Sequence, residues 1–484
     1  MLNISVPSRL KLAKAGVIGA SIIVATAICY VASKGFPAKA NNNNNQKGDS
    51  RSSNDSDNMD EAEAGSDETD SDEDHYFTAY GSNIEITRQM LMDETRTSAY
   101  ARAIAALPML RGAVVLDVGA GTGLLSIFAA LAGARRVYAV EGSSMAATAA
   151  EVVKKNGVED IVTVLHCKVD DLELPEKVDV IISEWMGMLL FFESMWESVL
   201  VARDRWLKPD GIVLPSMIKL YAAPVDITDH WNEKIGTWRS IWGLDMSSME
   251  NLAKEAYYVH PMFDICVESS QLLANGELLL EFDMNDVKIC DIGNFSHIWT
   301  VKTRRCGTLH GICSWFVCFF DVSGSIECGH GAAIFEDEGY QRLSAIIEAL
   351  ETSISQRLKQ PLPSENSTYD YGLERSWASS WWISQGESDE SKNGIEGSRK
   401  GYDYHGNVKC IALDTSPCSP LTHWGHPLLV FDNAHPVKMD EELRLCFIMQ
   451  RNMDSKRHYH FTIEAMPTAM QNRWKELKWF PLWK

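Results

Sequence analysis

The chain has no Cys-x-x-Cys pair. Its eleven cysteines stand singly between Cys29 and Cys446. An odd, unpatterned set excludes a disulfide framework, argues against a structural zinc site and reads as reduced thiols. Positive charge is also scarce: 45 Lys and Arg face 66 Asp and Glu, a net charge of −21. That argues against direct nucleic-acid binding by phosphate neutralisation and suits a soluble protein that meets basic partners. The deficit is uneven. Residues 52–74 hold eleven acids and no base, and without them the charge is −10.

Acids, in turn, are absent before Asp49. Within that stretch residues 15–33 (AGVIGASIIVATAICYVAS) are uncharged, with Arg9, Lys11 and Lys14 before and Lys34 after. Nineteen such residues just reach across ~30 Å of hydrocarbon. Residues 1–40 are therefore expected to be a membrane anchor. A cleaved signal or organelle presequence, with Ala38-Lys39-Ala40 as its A-x-A site, and a disordered tail are the alternatives. The near-even basic flanks leave orientation open. Residues 41–74, Asn-rich and then acidic, can form no core and read as a solvated linker.

What is present is 45% apolar and long enough, at 484 residues, for about three domains. Residues 113–123 read AVVLDVGAGTG, an apolar run ending in Gly-x-Gly-x-Gly before LLSIFAALAG. This has the form strand, loop, helix. Gly119 permits a sharp turn, and Gly121 lets a ligand approach the backbone. The third glycine comes one residue early for G-x-G-x-x-G, with Leu124 in its place, which tells against NAD or FAD. The next strand ends in Glu141, twenty-two residues after Gly119, where an acid can accept both hydroxyls of a ribose. Two further strands, IVTVLHC and VDVIISE, follow with helical stretches between. Asp170 follows the third, where it can line an adenine pocket. The alternation predicts an α/β domain with a parallel sheet.

The fourth strand runs into SEWMGMLLFFESM, residues 183–195. Glu184 and Glu193 bracket an apolar loop at the C-terminal edge of the sheet, where ligands bind. Two carboxylates in greasy surroundings need a cation. A planar guanidinium satisfies both through paired N–H···O bonds.

With these words in place, the chain resembles the protein arginine N-methyltransferases. VLDVGAGTGLLS, SEWMGMLLFFESM, ARDRWLKPDG and Leu421-Thr422-His423-Trp424 match that family's motifs in order, over roughly residues 75–325 and 410–465. The resemblance implies S-adenosylmethionine as cofactor, no metal, and arginine in basic or Arg-Gly-rich proteins, histones among them, as methyl acceptor. It implies a Rossmann-like class I methyltransferase domain at 75–215. An antiparallel β-barrel substrate domain would follow at 216–484, with a helical dimerisation arm at 228–256 and a homodimer as the assembly.

The resemblance also implies roles. Phe77 and Tyr80 match an N-terminal lid over the cofactor. Met90 contacts the cofactor, and Arg96 pairs with its methionyl carboxylate. Asp117, Gly119 and Gly121 lie along its methionyl and ribose parts, Glu141 takes the ribose hydroxyls, and Asp170 sits at the adenine. Glu184 and Glu193 clamp the substrate guanidinium. His423 and Asp93 form a pair that helps accept the lost proton. Trp424 walls the substrate channel, and Met195 stands beside the reacting nitrogen. Thr87 and Met188 depart from the family's usual histidine and tyrosine, which leaves a catalytically weak dimer partner or scaffold as the alternative function.

Two segments of the second half stand apart. Residues 326–409 do not fit the family frame. Within them, over Glu338–Arg357, Leu343, Ile346, Ile347, Leu350 and Ile354 recur at helical spacing, which predicts an amphipathic helix laid on the barrel. Residues 359–408 read mainly as a loop. The basic, aromatic tail RWKELKWFPLWK is expected to pack on the barrel, with a membrane surface as the alternative.

Overall fold

The computed structural model describes residues 77, 81, 83–263, 265–322, 338–359, 410–452, 457–468 and 474–480. The expected anchor at 15–33, the acidic linker, Tyr80 and residues 360–409 lie outside them. Among the described residues no helix is long and apolar enough to cross a membrane.

Two helices lead in. Asn83 caps α1 (Ile84–Met92), its side chain accepting from the Ile86 N–H. Asp93 ends α1 and caps α2 (Glu94–Ala106), accepting from the Arg96 N–H. Pro108 follows closely, and a residue that cannot continue a helix closes the element. A five-stranded parallel sheet comes next, in the order β3-β2-β1-β4-β5. Its strands are β1 (Val114–Val118), β2 (Arg136–Glu141), β3 (Val162–His166), β4 (Val178–Ile182) and β5 (Leu207–Leu214). Every residue of β1 is buried, as a central parallel strand covered on both faces requires. Helices α3 (Leu124–Leu131), α4 (Met145–Lys155) and α5 (Met195–Trp206) complete this layer.

The chain changes architecture after Leu214. β6 (Met217–Val225) leaves the parallel sheet and pairs antiparallel with β7 (Glu277–Asp283) and β9 (Gly307–Asp321). β10 (Cys410–Asp414) and β11 (Leu428–Val437) pair with β9 as well. A second antiparallel sheet runs β14-β13-β12-β8, from β14 (Glu476–Phe480), β13 (Tyr459–Pro467), β12 (Glu442–Arg451) and β8 (Asn294–Lys302). Strict alternation in β13 sends Phe461, Ile463 and Ala465 into the same core as Leu309, Ile312 and Phe316 of β9. The aromatic tail thus supplies a strand of this sheet, as far as Phe480.

Two expectations change. Residues 228–256 are not one helix: α6 (Thr228–Lys234) and α7 (Glu250–Tyr258) flank short 3-10 turns at Gly236–Arg239 and Ser247–Met249. Gly236 and Gly243 interrupt the stretch, since glycine is among the poorest helix formers and Gly243 takes a left-handed φ of +84°. Its tryptophans divide as well. Trp231 is buried and stacks on Tyr258 at 5.3 Å, whereas Trp242 is 97% exposed.

The inserted helix α8 (Glu338–Lys359) does form, but it packs on α2 and α3 of the parallel-sheet layer, not on the barrel. Leu343 is fully buried there, with Ile346 and Ile347 against the same core. Ser353 Oγ donates to Glu94 Oε1 at 2.8 Å, and Arg342 donates to the Asn156 carbonyl at 3.0 Å. An apolar stripe states that one face is covered and carries no information on what covers it.

Candidate active site

The site lies at the C-terminal edge of the parallel sheet. Gly119 and Gly121 both take left-handed φ, +71° and +54°. A Cβ on Gly119 would fall 2.0 Å from Met195 Cε, so any other residue there would push back the end of a methionine that lines the pocket. Glu141 is held from both sides: Oε2 accepts from the Gly121 N–H and Oε1 from the Ser143 N–H, each at 2.8 Å. Each oxygen retains acceptor capacity toward the pocket, as two ribose hydroxyls require. Asp170 lines the same pocket from the turn after β3, as do Met90, Thr87 and Arg96 from the entry helices. Phe77 covers Gly142, where a Cβ would come within 2.6 Å of its ring. These groups fit a nucleoside bearing a charged amino-acid tail.

Asp117 is placed differently from expectation. It is 1% exposed and not part of the pocket wall. Its Oδ2 accepts from the Ser126 hydroxyl at 2.6 Å, while Oδ1 is buried without a hydrogen-bond partner. Burial, only partly offset by Ser126, pushes its carboxyl up to about 6. Asp117 sits beneath the glycine loop and ties it to α3.

On the substrate side, Ser183 Oγ donates to the Val118 carbonyl at 2.8 Å and fixes the start of the clamp loop. Glu184 Oε2 accepts from Arg96 Nε at 3.0 Å and Nη2 at 2.8 Å. Glu184 Oε1 is buried with no hydrogen-bond partner. Burial works against the Arg96 charge, but Glu184 beside it outweighs that and raises the pKa. Arg96 is therefore the counter-ion of Glu184 as well as a pocket residue.

The loop then folds back tightly. Gly187 and Leu190 exchange backbone hydrogen bonds, and a Cβ on Gly187 would lie 2.0 Å from the Phe192 carbonyl oxygen. Leu189, Leu190, Glu193 and Ser194 all take positive φ, each at a cost of roughly 1–2 kcal/mol for a residue with a Cβ. Glu193 is half-buried and lies outside the cofactor pocket wall, on the returning arm of the loop.

His423 and Asp93 meet as the resemblance implied. His423 Nδ1 lies 2.7 Å from Asp93 Oδ2, which also accepts the His423 backbone N–H at 2.9 Å. Burial raises the Asp93 pKa, but the bonds and charge of His423 and the Arg96 N–H outweigh it and hold the carboxyl below its ordinary value. Trp424 is only 3% exposed, so it offers little surface to a channel. Its Nε1 donates to the Met186 carbonyl at 2.7 Å, and the indole props the clamp loop from behind.

Arg457 was not singled out from the sequence. It lines the pocket, and its Nη1 donates to the Glu193 carbonyl at 2.9 Å. Nothing in Ser-Lys-Arg-His-Tyr announces that position.

A glycine-rich strand–helix turn, a ribose-binding acid and a parallel sheet of this order define a class I S-adenosylmethionine-dependent methyltransferase. Residues 97–216 match the family model of the ribosomal protein L11 methyltransferase (PrmA), and residues 217–333 match the arginine methyltransferase oligomerization subdomain. Over 390 residues the chain is 34% identical to probable protein arginine N-methyltransferase 6 of Arabidopsis thaliana, covering 80% of this chain and 78% of that protein. Among solved structures it is similar to the Trypanosoma brucei PRMT1 enzyme-prozyme heterotetrameric complex with AdoHcy. That match has 26% identity and a TM-score of 0.60, over 83% of this chain and 99% of that one. It is also similar to Arabidopsis thaliana protein arginine methyltransferase 10, with 26% identity and a TM-score of 0.57, over 84% of this chain and 100% of that one. The chain belongs to the protein arginine N-methyltransferase family. It is a methyltransferase that acts on protein arginine with S-adenosylmethionine as cofactor.

Proposed function

We propose that this enzyme converts arginine in basic or Arg-Gly-rich proteins, histones included, to monomethylarginine and then to asymmetric dimethylarginine. The observation that carries the reading is Glu184, buried and half-satisfied by Arg96, with Oε1 left over for a guanidinium. S-adenosylmethionine supplies a sulfonium methyl as the electrophile. The chain's residues supply position and charge. Glu184 and Glu193 draw the guanidinium charge onto the nitrogens they hold and aim the remaining one at the methyl. The proton that nitrogen loses passes to the His423–Asp93 pair or to water. Met90 lines the pocket from α1 and Met195 from the start of α5. A flexible thioether yields to a methyl already on the reacting nitrogen, which favours two methyls on one nitrogen.

The working form is a homodimer joined through the arm at 228–256, where Trp242, Leu244 and Leu252 are exposed. The reading also places the catalytic domain on the cytosolic face of a membrane, anchored by residues 15–33. Mass spectrometry of an Arg-Gly-rich peptide methylated by the full chain tests the product: loss of dimethylamine marks the asymmetric form. Dominant loss of monomethylamine from a dimethylated peptide would refute it.

A further inference from the structure

The second clamp glutamate is held in place from the far end of the chain. Glu193 and Ser194 have φ of +79° and +51°, a conformation that residues with a Cβ rarely hold without support. The support comes from three consecutive residues, Arg457, His458 and Tyr459, that lead into β13. Arg457 and Glu193 exchange bonds: the Glu193 N–H donates to the Arg457 carbonyl at 3.1 Å, and Arg457 Nη1 donates to the Glu193 carbonyl at 2.9 Å. The His458 ring meets Phe192 edge-on at 5.3 Å. The buried Tyr459 hydroxyl accepts from Trp196 Nε1 at 3.2 Å and lies 3.5 Å from Ser194 Oγ. The same Arg457 guanidinium stands 5.4 Å from the centroid of Phe77, the aromatic ring over Gly142. One side chain therefore touches the clamp, the aromatic cover of the cofactor pocket and the pocket itself.

We propose that Arg457 is a positioning residue that couples the seating of Phe77 over the cofactor to the orientation of Glu193. The inference rests on the reading of Glu193 as part of the guanidinium clamp. A cation over an aromatic face is attracted by the ring's quadrupole, so a seated Phe77 stabilises the Arg457 rotamer. That rotamer presents Nη1 to the Glu193 carbonyl and fixes the peptide from which the carboxylate projects. Arginine suits both tasks, because its fork donates in plane while its face remains free for a ring.

The test uses the full chain with labelled S-adenosylmethionine and an Arg-Gly-rich peptide, with cofactor affinity measured by calorimetry. Arg457→Ala should lower kcat about 10–100-fold, as small misplacements of a reacting group do, while peptide KM moves less than about threefold. The cofactor-affinity loss in Phe77→Ala/Arg457→Ala should equal that of Phe77→Ala alone, because coupled groups do not add. Arg457→Lys keeps a donor for the Glu193 carbonyl but loses the flat face over Phe77. With the rotamer no longer stabilised by Phe77, its kcat should fall at least about fivefold together with its cofactor affinity, and it decides the matter if Arg457→Ala does not fold. Unchanged kcat in Arg457→Ala, or multiplicative affinity losses in the double variant, would overturn the coupling alone. A wild type that leaves the peptide unmethylated would remove the clamp reading and this inference with it.

Discussion

Arg96 spends two of its donors, Nε and Nη2, on a single oxygen of Glu184 and leaves the other oxygen of that carboxylate unpaired. Both side chains are about nine-tenths buried, at 10% and 9% exposure. Glu184 is thus ion-paired through one oxygen and has the other available before any substrate arrives. Glu184→Gln keeps the shape and removes the charge. Turnover should fall ~100-fold, the usual loss for one preorganised charge contact. Stability should fall by about 3 kcal/mol, because Arg96 is left buried without its counter-charge. Peptide kinetics and urea unfolding measure the two effects; wild-type values in both would rule out this view of the pair.

Asp93 has two duties that one substitution separates. It caps α2 and it faces His423. Asparagine caps a helix about as well as aspartate, so Asp93→Asn should keep α2 capped and lose, near neutral pH, only the stability that the ionised pairing with His423 contributes. Without the anion His423 loses its electrostatic partner, and kcat should drop ~100-fold, within the range for general acid–base groups. The pH dependence has a definite sign. A carboxyl held below its ordinary value contributes stability above the usual carboxylate range, and loses it as pH falls through the lower folded value. That loss should appear below about pH 4 and be absent in Asp93→Asn. An acid limb identical in both proteins would contradict the assignment.

Asp117 behaves in the opposite sense. Its folded pKa of about 6 lies above the ordinary value, so the folded state binds the proton more tightly than the unfolded chain. Stability should therefore decrease as pH rises from about 4 to about 6, by roughly 2–3 kcal/mol for a fully buried group. Asp117→Asn retains an acceptor for Ser126 and removes the titration. Thermal midpoints across that window should lose the Asp117 component in the variant, and equal slopes would show that Asp117 does not titrate there.

The two faces of the arm invite contrasting substitutions. Trp242 is almost wholly exposed and Trp231 is buried against Tyr258. Trp242→Ala should weaken dimerisation at least tenfold, as truncating an aromatic anchor of an interface does, with little change in the stability of the monomer. Trp231→Ala should instead cost about 3–5 kcal/mol of folding stability through the cavity it leaves. Sedimentation velocity on both variants checks this. Unaltered association in Trp242→Ala would place the interface elsewhere.

Much of the site was legible in the sequence because its signals are local. The glycine loop, Glu141 after the second strand and the greasy span between Glu184 and Glu193 each fit within one turn or one strand end. Backbone sterics and hydrophobic periodicity act over such short ranges. The helix at 338–359 was legible for the same reason, since its stripe recurs every three or four residues.

Tertiary structure alone decided what those pieces lean on. Arg96 reaches Glu184 across 88 positions, Ser353 reaches Glu94 across 259, and Arg457 reaches Glu193 across 264. No periodicity records such partners, because a hydrogen bond depends on where two chain segments are brought by packing, not on their spacing along the chain. The same holds for burial. Asp117 and Trp424 are polar and amphipathic residues in words that also mark ligand sites, and only the packed layers show both enclosed. The sequence determined which chemistry the site carries. The fold determined which charges are neutralised, which carboxylate oxygen stays free, and which side of the molecule the inserted helix covers, since those depend on desolvation and contact across the whole chain.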